Sequence, residues 1–287
     1  MSNHKKAYLE ITNRCNLSCA FCPGTRRTPR ALSQDEFDQL ASKLRSWAEY
    51  LYFHLMGEPL AHPLLPRFVK RAREMGFKPV ITTNGTLLGK RGAELIAAKP
   101  YKISISLHSF EANDSGVDMT EYINSCLNFA ESAADAGIII VLRLWNLEGK
   151  TSGALNGQNT AILQLMHDTF ADEWQPTRSG FKLRERVFLE WGDKFDWPSL
   201  DSPLLSDSGF CYGLRDQVGV LCDGTVVPCC LDGEGVMALG DLFEQTLEDI
   251  LNSPRAKAIY DGFSAHKCCE DLCKRCMRAG YYRNDRE

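Results

Sequence analysis

The stretch AYLEITNRCNLSCAFC, residues 7–22, sets the fold and the chemistry expected of this 287-residue chain. It begins with an apolar run, Ala7–Ile11, that is typical of a short buried strand, and three cysteines follow at Cys15, Cys19 and Cys22. Thiolates are soft ligands that select iron–sulfur clusters or zinc. A four-iron cube has four corners and this loop supplies three ligands, so the spacing predicts a cluster with one open iron. An open coordination position is typical of a catalytic metal site, whereas a structural site is closed.

Spacing alone leaves two other interpretations of these cysteines open. They could belong to a zinc site with a fourth ligand elsewhere, or they could be reactive or disulfide-forming thiols. Zinc sites favour paired Cys-x2-Cys units, which the x3-x2 spacing is not. The N-terminus, Met1–Lys6, has no apolar core behind it and therefore predicts no signal peptide. Twelve cysteines without an export signal indicate the reducing cytoplasm, where metal binding is expected and disulfides are rare.

The composition is that of an ordinary soluble globular protein, with 44% hydrophobic and 24% charged residues. The formal net charge of −4 argues against a nucleic-acid partner. The apolar run at 137–142 is broken by Arg143, so neither a membrane-spanning helix nor a membrane partner is expected.

Short apolar runs alternate with amphipathic stretches over the first two thirds of the chain. The capping box at 33–36 predicts a helix that continues to Trp47, and Tyr50–Met56 is typical of a buried strand. Further strands are predicted at 79–82, 102–107, 138–144 and 187–191, and further helices at 64–75, 87–98, 122–136 and 161–170. Strands that alternate with helices predict a parallel sheet with right-handed crossovers. Sites in such folds lie at the carboxyl ends of the strands.

Cys15, Cys19 and Cys22, with Phe21 before the last cysteine, resemble the cluster motif of the radical S-adenosylmethionine (radical SAM) enzymes. The resemblance implies an α/β fold with a partial (β/α)6 TIM-like barrel, and the six predicted strand–helix units agree with it. It implies that the open iron of a [4Fe-4S] cluster binds the amino and carboxylate groups of SAM. It also implies reductive cleavage of SAM to a 5′-deoxyadenosyl radical that abstracts a substrate hydrogen. A flavodoxin or ferredoxin would then be the reductase partner.

The resemblance also implies a set of SAM contacts at later strand ends. Gly57-Glu58-Pro59 is similar to the family's glycine–glutamate motif for the SAM amino group, although Met56 replaces its first glycine. A strand-ending turn is the alternative interpretation. Ser106 is similar to the fourth-strand serine of many relatives, but His108 stands where an acidic residue often follows. The SAM contacts implied in this way are Phe21, Gly57, Glu58, Thr83, Asn84, Ser106 and Arg143.

Arg143 and His108 each allow two interpretations. Arg143 interrupts an apolar strand, and a buried arginine needs an anionic partner. The carboxylate of SAM is the partner that the resemblance implies, and a structural ion pair is the competing interpretation. His108 is interpreted as a polar lining residue, with a general acid–base role as the alternative.

The chain changes character after residue 195, where a Pro- and Ser-rich linker at 196–210 leads into a Cys-rich region at 211–287. Asp223-Gly224 between two β-rich runs predicts a hairpin over 217–227, and short helices are predicted at 242–251 and 254–260. Four cysteines, Cys211, Cys229, Cys273 and Cys276, resemble the ligands of one auxiliary [4Fe-4S] cluster in the Twitch domain, the short form of the SPASM domain. A zinc ribbon is the structural alternative, and a full SPASM domain with two auxiliary clusters is not expected. The spare cysteines are Cys222, Cys230, Cys268 and Cys269, and Cys269-x3-Cys273-x2-Cys276 repeats the spacing of the first motif.

The residues and the resemblance together predict a radical SAM enzyme with an auxiliary-cluster domain at 211–287 and a barrel at 1–195. Its substrate is expected to be a ribosomally made peptide or a small molecule such as an amino sugar or nucleotide, and its reaction an oxidation, cross-link or epimerisation. The chain starts at the first strand, so no fused leader-peptide-binding domain is expected. A non-catalytic iron–sulfur electron-transfer protein and a zinc-dependent nucleic-acid-binding module are the rival functions.

Overall fold

The computed structural model describes residues 5–110, 118–147, 157–194 and 196–281, so the outermost residues of both predicted domain ranges lie outside it. The strands are β1 (Lys6–Leu9), β2 (Tyr50–Tyr52), β3 (Lys78–Thr83), β4 (Lys102–Ser106), β5 (Ile139–Leu147), β6 (Gln175–Thr177), β7 (Gly180–Arg184), β8 (Val187–Asp193), β9 (Gln217–Val220), β10 (Thr225–Val227) and β11 (Gly240–Asp241). The α-helices are α1 (Gln34–Leu44), α2 (Leu65–Glu74), α3 (Leu88–Ala98), α4 (Met119–Asp135), α5 (Gly157–Thr169), α6 (Leu247–Leu251), α7 (Pro254–Ser264), α8 (Asp271–Lys274) and α9 (Met277–Tyr281).

Six parallel strands form the centre of the sheet, in the order β1-β2-β3-β4-β5-β8. Helices α1 to α4 alternate with the first five of them, which confirms the predicted α/β class. The helices cover one face with an apolar layer in which Phe37 stacks on Phe68 with ring centroids 4.3 Å apart. Polar side chains such as Ser104 and Ser106 alternate along β4 with the buried Ile103 and Ile105. The parallel strands therefore carry their apolar side chains on the helical face and polar ones on the opposite face.

The predicted capping box begins α1. The Ser33 hydroxyl accepts a hydrogen bond from the Glu36 N–H at 3.2 Å, and the Glu36 carboxylate accepts one from the Ser33 N–H at 2.7 Å. These two bonds satisfy amide groups that a helix start leaves without intrahelical partners.

The sheet also contains an antiparallel hairpin that sequence reasoning missed. β6 and β7 pair with each other, and β7 pairs with β8. The central part of the basic run 178–186 forms β7. The side chain of Arg184, at the end of β7, forms an ion pair with Asp135 of α4 at 2.5 Å. This contact packs the strand against the helical layer. The predicted helix at 242–251 is also shorter, since only Leu247–Leu251 is helical.

The hairpin predicted around Cys222-Asp223-Gly224 is present as β9 and β10. Gly224 has φ +92°, and a Cβ there would lie 2.4 Å from the Phe243 ring, so the turn requires glycine. β9 also pairs in parallel with β1, which sequence reasoning did not predict. The Cys-rich region is therefore joined to the barrel through one continuous sheet of eleven strands.

A buried carboxylate fastens this junction. Glu10 is fully buried, and its two oxygens lie 2.8 and 2.7 Å from Nη2 of Arg27, in the segment after the cysteine triplet. The same carboxylate accepts hydrogen bonds from the N–H groups of Met56 and Cys222, at 3.1 and 3.3 Å. One side chain thus holds together the end of β1, the segment after the cysteine triplet, the Met56 turn and the Cys-rich hairpin. A buried ion pair of this kind is costly to break because it leaves a charge without compensation.

Across the ranges that the structure describes, none of the helices has the length and apolar character needed to cross a membrane.

Candidate active site

The three cysteines of the first motif lie in one loop directly beyond the end of β1. Asn13 closes the base of this loop, donating a hydrogen bond to the Thr28 carbonyl at 2.9 Å and accepting one from the Arg30 N–H at 2.7 Å. Burial raises the pKa of the Cys15 thiol, and the nearby Glu58, Cys19 and Cys22 add to the shift. Thiols with raised pKa values become thiolates when a bound metal stabilises the charge, so the loop suits metal binding better than free nucleophilic chemistry.

The donor set of this loop fits an iron–sulfur cluster. It offers three thiols, which are the ligands that such clusters use. Among the described residues, no three Cys, His, Asp or Glu side chains are grouped closely enough to hold a single metal ion. The fit to a cluster therefore rests on the chemistry of the three thiols.

Gly57 is the platform on which the cysteine loop rests. Its φ is +75°, and a Cβ at this position would lie 2.3 Å from the Thr12 carbonyl oxygen and 2.9 Å from that of Arg14. The next residue, Glu58, donates its N–H to the same Arg14 carbonyl at 2.9 Å. β2 ends at Tyr52, earlier than predicted, and the turn that follows brings Gly57 under the loop. The predicted Gly57-Glu58 motif therefore contacts the cluster loop through its backbone.

The Glu58 carboxylate links this platform to the end of β3. It is 2% exposed and accepts hydrogen bonds from the Leu60 N–H at 2.9 Å and the Asn84 N–H at 2.8 Å. Burial raises its pKa, and the backbone hydrogen bonds from Asn84 and Leu60 oppose that rise. Its negative charge also raises the pKa of Cys15, so the carboxylate lies near the first cysteine.

Thr83 and Asn84 lie at the end of β3, and the Asn84 side chain contacts the cysteine loop. The Asn84 amide donates to Asn16 Oδ1 at 3.0 Å, and the Asn16 amide donates to the Thr86 hydroxyl at 2.8 Å. Thr83 is 1% exposed and accepts the Gly85 N–H at 3.1 Å. Asn16 stands between Cys15 and Cys19, so the Asn84 side chain contacts the loop itself.

A large cavity of about 1150 Å³ opens on the polar face of the sheet, beside the cysteine loop. Three of the predicted SAM contacts, Phe21, Ser106 and Arg143, line it together. The Phe21 ring is 42% exposed and lies 5.2 Å from the His108 ring, centroid to centroid. His108 stacks in turn on Trp145 at 6.5 Å. An aromatic wall of this kind, next to a cationic side chain, suits a ligand with a flat ring and a carboxylate.

Arg143 has both an anionic and an aromatic neighbour. Its Nε lies 3.5 Å from Glu190 Oε2, across the β5–β8 pair, and its guanidinium lies 4.5 Å from the centre of the Trp145 ring. Burial lowers the pKa of Arg143, and Glu190 opposes that effect. The structural ion pair weighed as the alternative is therefore present, but it is long and leaves the guanidinium in the cavity wall.

Sequence reasoning missed the polar residues at the floor of this cavity, which come from β1, the end of β2 and β3. Tyr8 stacks against Tyr52 at 4.6 Å, and the His54 ring meets the edge of Tyr8 at 5.6 Å. His54 Nδ1 and Thr82 Oγ1 are buried without a hydrogen-bond partner among the described residues. The signal was available, since Tyr8, Tyr52 and His54 alternate with the buried Leu9, Leu51 and Phe53.

His54 gives the folded protein a pH dependence. Burial lowers its pKa from 6.5 to about 3, and the positive charges of Arg143 and Lys102 act in the same direction. Below about pH 6.5 His54 is protonated in the unfolded chain but stays neutral in the folded chain. The free energy of unfolding therefore falls as the pH drops toward the folded-state pKa. Between pH 7 and pH 5 we expect His54→Gln to reduce this loss by about 2 kcal/mol. Urea unfolding of both proteins at the two pH values measures it, and equal losses would contradict the assignment.

A second cavity, of about 610 Å³, lies within the Cys-rich region. Cys211, Cys229, Cys273 and Cys276 all line it, which brings together the four predicted auxiliary-cluster ligands. Burial raises the pKa of Cys211 to about 11, and the neighbouring Cys276 and Cys230 add to it. Four half-buried thiols that line one cavity fit a closed cluster site.

Three of the four spare cysteines are outside the lining of the second cavity. Cys222, Cys268 and Cys269 do not line the second cavity, and the Cys269 thiol donates to the Ala258 carbonyl at 3.3 Å instead. The repeated x3-x2 spacing at Cys269–Cys276 therefore does not bring all three of its cysteines to one cavity. Cys230 differs from the other three, because it lines both cavities, as do Trp145 and Leu231.

Two family models match the chain. One, described as the Radical SAM superfamily, matches residues 9–152, about half of the chain. The other, described as SPASM, an iron–sulfur cluster-binding domain, matches residues 211–277. The first covers the cysteine loop and most of the parallel strands, and the second covers the cavity with four cysteines.

Individual proteins resemble the chain over most of its length. The antilisterial bacteriocin subtilosin biosynthesis protein AlbA of Bacillus subtilis is 26% identical over 93% of this chain and 64% of its own. The chain spans between 35% and 64% of the length of the curated relatives that it matches first.

Solved structures share the fold. BtrN in complex with AdoMet and 2-DOIA matches with a TM-score of 0.57 and 20% identity, over 95% of this chain and 92% of BtrN. Streptococcus suis SuiB bound to the precursor peptide SuiA matches with a TM-score of 0.61 and 15% identity, over 96% of this chain and 70% of SuiB. At these identities the likeness is one of fold.

Proposed function

Because this chain belongs to the radical SAM superfamily, we propose that it uses SAM to abstract a hydrogen atom from a substrate held in the cavity of about 1150 Å³. Membership implies a [4Fe-4S] cluster, an auxiliary cluster and SAM as cofactors. A reduced four-iron cluster with one open iron supplies the electron that cleaves bound SAM to methionine and the 5′-deoxyadenosyl radical. The observation that carries the proposal is that the cysteine loop and the Phe21–Ser106–Arg143 wall share one edge of the sheet.

Different residues around the cysteine loop would bind the cluster and the separate groups of SAM. Cys15, Cys19 and Cys22 would hold the catalytic cluster, and the Gly57 platform would present backbone carbonyls and the nearby Glu58 carboxylate to an ammonium group. Arg143 and Ser106 would bind a carboxylate, and Phe21 would pack against a flat ring. Thr83 and Asn84 would act through the loop rather than on SAM, because the Asn84 amide already bonds to Asn16.

The Cys-rich region would hold the auxiliary cluster through Cys211, Cys229, Cys273 and Cys276. A division into a barrel at 1–195, a linker at 196–210 and this region at 211–287 is part of the same proposal. The SPASM match at 211–277 supports the start of the Cys-rich region at residue 211. A flavodoxin or ferredoxin would supply electrons.

A peptide is the substrate that we favour. AlbA, which matches nearly the whole chain, is named for the biosynthesis of a bacteriocin, and SuiB binds a precursor peptide. A compact polar molecule is the second candidate, because Tyr8, Tyr52 and His54 line the cavity floor with polar groups. Either would enter the same cavity, between the cysteine loop and the Cys-rich region.

The test is anaerobic reconstitution with iron and sulfide, followed by dithionite and SAM. We expect about eight irons per chain, four for each cluster, and formation of 5′-deoxyadenosine. Liquid chromatography with mass detection measures the nucleoside. A protein that binds this iron and never cleaves SAM would instead be the iron–sulfur electron-transfer protein weighed as the rival.

A further inference from the structure

Cys230 occupies a position that none of the other spare cysteines shares. It lines the barrel cavity together with Phe21 and Arg143, and it lines the second cavity together with Cys211 and Cys273. It directly follows Cys229, yet four other cysteines already complete the auxiliary ligand set. Its thiol therefore stands at the boundary between the two compartments of the proposed active site.

The immediate surroundings of Cys230 hold its sulfur at this boundary. Tyr8 and Cys230 are neighbours in the wall of the barrel cavity, which both of them line. The apolar side chains of Leu55, Leu221 and Val227 form a small buried cluster, and Tyr8 and Cys230 pack against it. Cys230 therefore lies between Tyr8 and this apolar cluster. The residue is half-buried.

The cavity next to this thiol is built for a polar ligand. His54 Nδ1 is buried there without a hydrogen-bond partner among the described residues, and its ring meets Tyr8 edge-on at 5.6 Å. Thr82 Oγ1, on the same cavity wall, is also buried and unpartnered within the described ranges. Buried polar atoms are normally satisfied, so these two indicate a ligand that supplies the missing bonds beside Tyr8 and Cys230.

We propose that Cys230 is the hydrogen-atom donor of this active site, returning the hydrogen of its thiol to the carbon radical that abstraction leaves on the substrate. This rests on the proposed function. An S–H bond is weaker than the C–H bond of a saturated carbon, so the transfer runs toward the substrate. The S–H bond breaks, a new C–H bond forms, and a thiyl radical remains on Cys230. One electron from a ferredoxin- or flavodoxin-type reductant and one proton from water restore the thiol.

The consequence is a reaction class. A substrate that loses a hydrogen atom to the 5′-deoxyadenosyl radical and gains one from Cys230 keeps its hydrogen count. If the two transfers occur on opposite faces of the carbon, its configuration inverts. Of the oxidation, cross-link and epimerisation reactions considered above, a hydrogen donor at Cys230 therefore favours epimerisation.

The experiment follows the transfer of deuterium from the Cys230 thiol to the 5′-deoxyadenosyl radical formed from SAM. Reconstituted protein is reduced with dithionite and incubated with SAM in D2O without substrate, and the nucleoside is analysed by mass. The thiol exchanges its hydrogen with D2O and would be the nearest donor to the radical, so wild-type protein should form 5′-deoxyadenosine carrying one deuterium. Cys230→Ala and Cys230→Ser should lose this deuterium, and Cys269→Ala, which removes an exposed thiol outside both cavities, should keep it.

The outcomes separate the two proposals. No 5′-deoxyadenosine from wild-type protein means that the proposed function fails. Labelled nucleoside whose deuterium survives in both Cys230 variants means that only the donor role fails. Loss of label in Tyr8→Phe, with label retained in Cys230→Ala, gives the role to the phenol and also overturns the proposal.

A second readout does not depend on SAM cleavage. In the folded protein with its clusters, iodoacetamide followed by peptide mass mapping should modify Cys230 and the exposed Cys269, and spare the buried Cys126 and Cys222. The Cys230 variants should keep about eight irons, since Cys230 is not a cluster ligand. A loss of about four irons would show instead that Cys230 binds the auxiliary cluster, and the donor role would be abandoned.

Discussion

Cys15→Ala should reduce formation of 5′-deoxyadenosine to the background of the assay. The loop supplies only three thiolates, and losing one leaves two, too few to hold a cube that already has an open iron. The variant should retain about four of the eight irons, because Cys211, Cys229, Cys273 and Cys276 lie in a separate cavity. Iron analysis and electron paramagnetic resonance of the reduced protein measure the loss of one cluster and the survival of the other.

Cys269→Ala is the matched control. It removes a cysteine from a segment with the same x3-x2 spacing, but the Cys269 thiol is exposed and lines neither cavity. We expect it to keep all of its iron and its SAM cleavage. If Cys269→Ala lost iron and Cys15→Ala did not, the assignment of the two cysteine sets would be reversed.

Gly57→Ala should destabilise the protein and prevent SAM binding. A Cβ at this position meets the Thr12 carbonyl at 2.3 Å and would push the cysteine loop off its platform. The left-handed backbone at φ +75° adds about 1–2 kcal/mol for a residue other than glycine. Overpacking adds about 1–3 kcal/mol, and the sum of about 2–5 kcal/mol lowers the melting temperature of a chain of this length by roughly 3–8 °C. Anaerobic thermal unfolding followed by circular dichroism measures the shift, and equilibrium dialysis measures SAM binding.

Gly24→Ala separates the two causes. Gly24 has a similar φ of +64°, but no atom lies within 4 Å of the Cβ it would gain. Gly24→Ala should therefore lower the free energy of unfolding only by the effect of the left-handed backbone, about 1–2 kcal/mol. The variant should still bind SAM. Equal effects at both positions would mean that the contact between Gly57 and the cysteine loop has no special role.

Local sequence signals predicted the features that depend on neighbours in the chain. The x3-x2 cysteine spacing, the Ser33 capping box and the Asp223-Gly224 turn each need only a few consecutive residues, and the last two are present in the structure as predicted. The alternation of strands with helices predicted the parallel sheet, since a right-handed crossover is its usual connection.

The features that sequence reasoning missed depend on residues far apart in the chain. The pairing of β9 with β1 joins residues about 210 positions apart, and no local pattern records it. Tyr8, Tyr52 and His54 meet only because neighbouring strands place alternate side chains on one face. The hydrogen bond between Asn84 and Asn16 likewise joins residues that lie 68 positions apart in the chain.

Strand β1 would be an exposed edge of the sheet if β9 did not pair with it. An exposed edge strand has unpaired N–H and C=O groups that can pair with a strand of another molecule, which promotes aggregation. Removal of the Cys-rich region would uncover this edge and would also take away the Cys222 N–H that donates to the buried Glu10 carboxylate. Any other region in its place would have to supply a strand that pairs with β1 and a hydrogen-bond donor for Glu10.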